Sequence, residues 1–356
     1  MRIKQFQKEM SAKKLDLALF FNLDGDNIDP NITYFSQYTG FGVLAIMQDK
    51  AVLVVPKAEY QRAKKTSRVK VVAAKEKLLD TLKTFTRRRV RRIGLDKNRV
   101  SMNLHAKIRK QIHAKAVDIA GMCQRVRAVK TPEEISYIKK ACAATDEIIN
   151  KTLLNFKQFK TETDVVAYLL NETNNMGLVT SFKPIVASGK NAAEPHHEAT
   201  NKPLQKGFCV IDFGVKFKGY CADMTRTIYL GQPTEHEIEL YHEVLSVQTT
   251  MIELCRAEKS FISINEKAHA LFGEKSKYFT HLIGHGVGTE IHENPNPKKT
   301  VKRPITKLLP GSIITIEPGI YYPNKLGIRI EDDILITNNN PEILTKTGKN
   351  LLIIRK

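Results

Sequence analysis

The stretch GFCVIDFGVKFKGYCADMTRTIYLG, residues 207–231, decides the fold of the C-terminal part of the chain. Two runs of apolar, strand-forming residues flank the tetrapeptide KFKG, whose composition predicts a hairpin turn. If the hairpin is symmetric about residues 217 and 218, Asp212 and Asp223 face each other at about 5 Å. Two carboxylates this close among apolar residues repel each other, and a divalent cation would remove the conflict. Pairing of the acids with Arg226 or a lysine is the alternative.

A second stretch, ITIEPGIYYPNKLGIRIEDDILIT (314–337), repeats the arrangement of strand, turn and strand. A hairpin centred on Asn324 places Glu317 opposite Glu331, and each glutamate is set in an apolar strand. Two such hairpins in one domain indicate that four carboxylates converge. Oxygen-rich sites of this kind suit Mn²⁺ and similar cations, and a two-metal centre needs bridging carboxylates.

Histidines occur in two further segments. HLIGHGVGTEIHENP (281–295) carries His281, His285 and His292 among glycines, which allow close approach of the backbone. His196 and His197 lie in the polar segment ASGKNAAEPHHEAT (187–200), and catalytic groups are common on loops of this type. A single histidine is more often structural, but this grouping favours a functional site.

The first 128 residues alternate between helix-like and strand-like patterns, which predicts a small α/β domain with a mixed sheet. The predicted strands are LALFF (17–21), GVLAI (42–46), AVLVV (51–55), KVVAA (70–74), IGLD (93–96) and VDIA (117–120). Helices are predicted at the N-terminus, where Ile3, Phe6, Met10 and Leu15 form a stripe, and near 57–65, 76–86 and 101–113.

A domain boundary is predicted after residue 128, giving domains 1–128 and 129–356. Thr131 followed by Pro132 is typical of a helix start, with an N-cap and proline at the first helical position. A second helix is predicted over 162–175, and strands predominate from 181 onward.

The charge is distributed unevenly along the 356 residues. The net charge is +20, but residues 1–128 contain 28 Lys and Arg against 11 Asp and Glu, whereas 129–356 contain 29 against 26. The densest basic run is RRRVRR (87–92), which would suit an anionic partner. It lacks the interleaved aromatic residues of single-strand binders, so a solvated helix end is favoured.

Composition excludes several other classes. No apolar run is long enough for a membrane span, and the N-terminus lacks an apolar signal core. The five cysteines form no CxxC pair, so neither a disulfide framework nor a zinc ribbon is expected, and a cytoplasmic location fits best.

Taken together, these residues resemble the pita-bread metallopeptidases, the clan of methionine aminopeptidase, aminopeptidase P, prolidase and creatinase. The family's five metal-ligand positions are filled in order, by Asp212, Asp223, His285, Glu317 and Glu331. The segments IRIED (328–332) and PHHE (195–198) and the N-terminal α/β pattern look like the Xaa-Pro peptidase branch. The resemblance implies an α/β creatinase-like N-terminal domain and an α+β pita-bread catalytic domain.

The resemblance also implies roles. Two divalent ions (Mn, Co, Zn or Fe) would hold a bridging hydroxide that attacks the bond between an N-terminal residue and proline. Asp212 and Asp223 would bind one ion, Asp223 and Glu331 would bridge, and His285 and Glu317 would bind the other. Glu317 would also act as general base. His196 and His292 would contact the substrate, and Arg329 would hold a carboxylate or the surrounding network.

The implied partners are a proline-containing peptide and, as is common in the family, a second copy of the chain. Prolidase and aminopeptidase P activities share the ligand set, so both stay open. An aminopeptidase of other specificity and a non-catalytic scaffold or nucleic-acid-binding protein on the same fold are the remaining alternatives.

Overall fold

A computed structural model describes residues 2–23, 29–75, 77–83, 90–298 and 306–355. The chain forms two compact units, Met1–Val126 and Arg127–Lys356. The division falls two residues before the boundary predicted from the sequence. Of the basic run RRRVRR, residues 87–89 lie outside the described residues.

The N-terminal unit is built on a mixed sheet with strand order β4-β3-β2-β1-β5-β6. Its strands are β1 (Leu17–Asn22), β2 (Gly42–Met47), β3 (Ala51–Val55), β4 (Lys70–Ala73), β5 (Arg92–Leu95) and β6 (Lys115–Asp118). β1 pairs antiparallel with β2 and parallel with β5, which confirms the predicted mixed sheet. Every residue of β1 is buried, because apolar clusters cover both faces of the sheet.

Helices cover this sheet, and two features of this region differ from the prediction. The helices are α1 (Arg2–Ala12), α2 (Pro30–Ser36), α3 (Tyr60–Thr66), α4 (Leu78–Lys83), α5 (Met102–Gln111) and α6 (Ala120–Ala128). The short α2 was not predicted; Asp29 caps it and Pro30 starts it, but it is too short for a periodic stripe. The predicted strand VDIA is wrong by two residues, since β6 ends at Asp118 and α6 begins at Ala120.

The C-terminal unit has long helices, and capping boxes set the starts of the first three. They are α7 (Pro132–Leu154), α8 (Glu162–Asn175), α9 (Glu235–Leu254) and α10 (Phe261–Phe272). At the start of α7, the Thr131 side chain accepts from the Glu134 N–H while the Glu134 carboxylate accepts from the Thr131 N–H. The predicted start of this helix and the predicted helix over 162–175 are both confirmed.

Short strands complete the C-terminal unit, consistent with the predicted α+β class. They are β7 (Val179–Thr180), β8 (Ile185–Ser188), β9 (Gly207–Phe213), β10 (Val215–Phe217), β11 (Tyr220–Cys221), β12 (Met224–Leu230), β13 (Ile313–Ile316), β14 (Gly319–Tyr322), β15 (Leu326–Arg329), β16 (Asp332–Leu335), β17 (Glu342–Ile343) and β18 (Ile353–Ile354). The largest sheet has the order β18-β12-β9-β8. No helix among the described residues is long and apolar enough to span a membrane.

Hairpin A, residues 207–230, has a different register from the predicted one. Phe217 pairs with Tyr220, so the turn is Lys218–Gly219, with φ angles of 49° and 83°. The turn centre lies one residue later than predicted, which shifts every partner by two. Asp212 therefore pairs with Thr225, and the prediction that it faces Asp223 is wrong.

The corrected register places Asp223 in a gap between ladder segments. β11 ends before it and β12 begins after it, and the register brings Gly214 opposite it. A Cβ on Gly214 would lie 1.9 Å from the Ala222 carbonyl oxygen, so only glycine allows the two chains to approach here.

Hairpin B, residues 313–335, has the predicted register. Ile316 pairs with Asp332 and Gly319 pairs with Arg329, so the continued register puts Glu317 opposite Glu331. Both glutamates lie between the two ladder segments of the hairpin.

Candidate metal centre

One cavity of about 780 Å³ in the C-terminal unit contains all of the residues predicted for the site. Its lining includes the five predicted metal ligands and the three further predicted residues: Asp212, Asp223, His285, Glu317, Glu331, His196, His292 and Arg329. Apolar side chains, among them Phe182, Ile185 and Ile291, form other parts of the wall. The tertiary structure thus brings together residues that are spread over more than a hundred positions of sequence.

The gaps in the two hairpins explain how three of the acids reach the cavity. At these three positions the backbone N–H group donates a hydrogen bond to a residue outside its own hairpin. The Asp223 N–H donates to Asp333 Oδ2 (2.9 Å), the Glu317 N–H to the Ile283 carbonyl (2.8 Å) and the Glu331 N–H to the Thr225 carbonyl (3.2 Å). Asp212 instead remains within the ladder, between β8 and β12.

Side chains of β12 join hairpin A to hairpin B. Thr225 Oγ1 donates to Glu331 Oε2 (2.6 Å), and Thr227 Oγ1 donates to the Arg329 carbonyl (2.7 Å). The buried guanidinium of Arg226 donates to the Glu331 carbonyl (2.6 Å). These contacts fix the acids of one hairpin relative to those of the other.

His285 is held so that one ring nitrogen faces the acids. Its Nδ1 lies 3.1 Å from the Gly286 carbonyl, which can only accept, so Nδ1 carries the hydrogen. Burial lowers the pKa of His285 to about 3, so the ring is neutral. The lone pair of Nε2 then faces Asp223 Oδ2 and Glu317 Oε1, both at 3.5 Å. Such an arrangement is repulsive unless a proton or a metal cation lies among the three atoms.

The four carboxyl groups lie close together, with Asp223 and Glu331 buried and Asp212 and Glu317 mostly buried, which opposes their ionisation. Burial and the charges of Glu331 and Asp212 raise the pKa of Asp223 well above its usual value. Burial and the charge of Glu317 do the same to the pKa of Glu331. Burial raises the pKa of Glu317 to about 8, although Arg329 opposes the shift. Removing this cost requires protons or cations.

The residues fit a divalent metal ion. Ligand atoms of Asp223, His285 and Glu331 lie within 4.8 Å of one another. Asp212 Oδ1 and Asp223 Oδ1 are buried and have no hydrogen-bond partner among the described residues. Orphaned buried oxygens are costly unless a metal coordinates them, and carboxylates with imidazole suit Mn²⁺, Fe²⁺, Co²⁺ and Zn²⁺.

A hydrogen-bonded chain from Arg329 supports the acids. Its guanidinium donates to Asp212 Oδ2 (2.8 Å) and to the Tyr321 hydroxyl (2.9 Å). The His281 Nδ1 lies 2.8 Å from the Leu282 carbonyl, so its Nε2 accepts from Tyr321 at 2.8 Å. The sequence had identified His281 without a role and had missed Tyr321, because a tyrosine in the apolar run GIYY is indistinguishable from a core residue.

The other two predicted histidines lie beside this cluster. The ring centroids of His292 and His285 are 4.2 Å apart. Burial, with a smaller effect from His196, lowers the pKa of His292, which keeps its ring neutral. His196 is exposed on the cavity wall, whereas His197 is not among the residues that line the cavity.

The acids that follow Glu331 have a structural role. Asp332 accepts hydrogen bonds from Arg226 and Lys349 (2.7 and 2.8 Å), which lower its pKa against the effect of burial. Asp333 supports the backbone of Asp223. Of the three consecutive acids, Glu331 alone is among the described residues that line the cavity.

Comparisons with known proteins cover both units. Residues 136–338 match metallopeptidase family M24, and residues 2–129 match the creatinase/prolidase N-terminal domain. The chain is 34% identical to an Xaa-Pro dipeptidase of Pyrococcus furiosus over 90% of this chain and 92% of that protein.

Solved structures give the same result for the fold. An Xaa-Pro dipeptidase from Bacillus anthracis has a TM-score of 0.91 and 30% identity over 99% of each chain. An X-Pro aminopeptidase from Thermotoga maritima has a TM-score of 0.89 and 29% identity over 98% of this chain and 100% of that one. The predicted fold class, a creatinase-type N-terminal domain followed by a pita-bread domain, is confirmed.

Proposed function

The chain belongs to metallopeptidase family M24 and is a metallo-exopeptidase, and from this premise we propose that it cleaves the bond between an N-terminal residue and proline. The observation that carries the proposal is the cavity lined by four carboxyl groups, two of which, Asp223 and Glu317, lie 3.5 Å from the bare Nε2 of a neutral histidine. The chemistry of the reaction follows from what such a cluster can hold.

We propose that the cluster holds two divalent metal ions. Asp212 and Asp223 would hold one ion and His285 and Glu317 the other, while Asp223 and Glu331 would be shared between the two. When bound, such ions polarise the peptide carbonyl and activate water. The proximity of Asp223 and Glu331, whose ligand atoms lie within 4.8 Å of each other, supports their sharing of both ions, since the charge of Glu331 raises the pKa of Asp223 when no cation is present.

Glu317 is the proposed proton carrier. Its carboxylate lies at the cavity wall and 3.5 Å from His285 Nε2, and its pKa of about 8 without metal shows how strongly its surroundings favour a bound proton. A group of this kind can take a proton from water and pass it to the departing proline nitrogen.

His196 and His292 are proposed to contact the substrate carbonyl oxygen. Both line the cavity, and a neutral imidazole can donate one N–H to that oxygen. Donors of this type contribute about 3 kcal/mol each to transition-state stabilisation in comparable sites. Arg329 acts indirectly, because its bond to Asp212 orients that carboxyl group and opposes the rise in its pKa that burial causes.

The state of the cysteines bears on where the protein acts. All five cysteines are buried free thiols, which supports the cytoplasm as the location. A homodimer stays a prediction. The intact acid cluster argues against the non-catalytic, nucleic-acid-binding alternative, whose test is salt-dependent binding to DNA or RNA.

Of the two Xaa-Pro activities, we propose the dipeptidase. The relatives from Pyrococcus furiosus, at 34% identity, and Bacillus anthracis, at 30% identity, are both named Xaa-Pro dipeptidases. The similarity to an X-Pro aminopeptidase keeps the second candidate in view.

One assay separates the candidates. The metal-loaded protein is incubated with Ala-Pro, Ala-Pro-Ala and Ala-Ala, and released alanine is measured. Cleavage of Ala-Pro alone supports the dipeptidase, and cleavage of Ala-Pro-Ala supports the aminopeptidase. Preference for Ala-Ala would indicate another specificity, and no cleavage of any of the three would overturn the proposal.

A further inference from the structure

The segment that carries His196, here called the histidine loop (residues 189–200), is fastened to one buried carboxylate. Glu162, the first residue of α8, is only 1% exposed. Its Oε1 accepts from the Ser188 N–H (2.8 Å), the Ser188 hydroxyl (3.0 Å) and the Asn191 amide (2.9 Å). These bonds hold the chain where it enters the loop.

The second oxygen of Glu162 holds the other end of the same loop. Oε2 accepts from His197 Nε2 (2.9 Å), the Thr200 N–H (3.0 Å) and the Thr200 hydroxyl (3.1 Å). Burial opposes ionisation of Glu162, but these donors reverse the effect and lower its pKa. An ionised carboxylate with six donors is a strong anchor, because hydrogen bonds to a charged group are stronger than neutral ones.

His197 is the side chain that connects this anchor to the cavity. It follows His196 directly, its own side chain is only 9% exposed, and its Nε2 is committed to Glu162. On the other side of His196, the Pro195 carbonyl accepts from Arg329 Nη1 at 3.4 Å. The two neighbours of His196 are therefore held by two different buried charges.

We propose that His197 and Glu162 are positioning residues whose bond fixes the histidine loop and so aims His196 into the cavity. This inference rests on the proposed function, in which His196 contacts the substrate. In this arrangement His196 contacts the substrate, whereas the adjacent His197 binds Glu162. A displacement of about 1 Å in such a group can cost up to a hundredfold in rate.

The test combines a double-mutant cycle with hydrogen exchange in the full-length, metal-loaded protein. The variants are His196→Ala, His197→Ala, His197→Gln, the double alanine variant and a matched control, His236→Ala, whose side chain is 78% exposed. The measurements are kcat and KM on Ala-Pro, metal content, and amide exchange of residues 194–200.

We expect His197→Ala to lower kcat by about tenfold to a hundredfold, with metal content unchanged. The double variant should be no slower than His196→Ala, because His197 acts through His196. His197→Gln should recover most of kcat, since its amide can still donate to Glu162. Exchange of residues 194–200 should accelerate in His197→Ala and stay unchanged in the control.

Multiplicative losses in the double variant would overturn the inference, because they would show an effect independent of His196. Unchanged exchange and kcat in His197→Ala would overturn it as well. If the wild-type protein cleaves no Xaa-Pro peptide, the proposed function fails, while the exchange measurement still decides whether His197 fixes the loop.

Discussion

Hairpin A turns through two residues with positive φ, Lys218 and Gly219, whereas hairpin B turns through a longer loop in which only Asn324 has positive φ. Each hairpin nevertheless delivers two acids to the same cavity. In hairpin B both acids lie opposite each other in a gap of the ladder, but in hairpin A only Asp223 lies in the gap.

The difference shows that a shared cavity does not require a shared backbone arrangement. Asp212 keeps its ladder bonds and is oriented through its side chain by Arg329, which belongs to hairpin B. The three acids in the gaps are oriented through their backbone N–H groups. The site is thus formed by contacts between the hairpins and with the segment that contains Ile283, rather than within either hairpin.

The largest effect is expected from removing one acid of each hairpin. Asp223→Ala and Glu331→Ala should each abolish turnover and lower bound metal, because both are proposed to serve both ions. Metal content is measured by mass spectrometry and activity on Ala-Pro. The exposed Asp49→Ala serves as the control. Full metal content and turnover in either variant would contradict the proposal that one acid of each hairpin serves both ions.

Arg329→Lys tests the bond by which hairpin B orients the acid of hairpin A. A lysine cannot reproduce the planar set of donors to Asp212, Tyr321 and Thr225. We expect kcat to fall by about tenfold to a hundredfold, as is usual for residues that orient metal ligands. Steady-state kinetics measure the effect, with the exposed Arg62→Lys as control. Wild-type kcat would show that Asp212 needs no such support.

The stability of the metal-free protein should depend on pH. Glu317 titrates near 4.5 when unfolded and at about 8 in the folded chain, so between these values the folded state alone retains the proton. The contribution of Glu317 to stability is therefore fully present below pH 4.5 and is lost as pH rises through 8. Urea unfolding with a chelator measures this loss, and Glu317→Gln should weaken it.

Added divalent metal should reverse this dependence of stability on pH, because the metal binds the deprotonated acids. A metal-free protein whose stability rises from pH 5 to 8 would contradict the raised pKa of Glu317.

The smallest effects should distinguish the two turns. Gly219→Ala should destabilise the protein by about 1–2 kcal/mol, since Gly219 has a φ of 83°. Asn324→Gly should be nearly neutral, because asparagine and glycine both tolerate the left-handed region. Urea unfolding measures both, with the exposed Lys325→Ala as control. Equal effects of the two turn variants would show that the tighter turn carries no special constraint.

The register of hairpin B could be predicted because its turn contains Pro323 and Asn324, which restrict the possible centres. In hairpin A the lysines and glycine of KFKG allow two turn centres that lie one residue apart. Moving the centre by one residue shifts the partner of every strand residue by two positions. The two-residue displacement was decided by which residues adopt positive φ, and only the packed structure shows this. The short helix α2 was missed for a related reason, since it is shaped by its cap and by burial.

The sequence by itself determined the mixed sheet, the start of α7 after its N-cap Thr131 and the acids and histidines that line the cavity, because these follow from periodicity, capping chemistry and residue type. The tertiary structure decided the register of hairpin A and the Arg329–Tyr321–His281 chain. It also decided the attachment of His197 to Glu162, which lies 35 residues away. Such contacts depend on the packing of distant segments, and no local pattern encodes them.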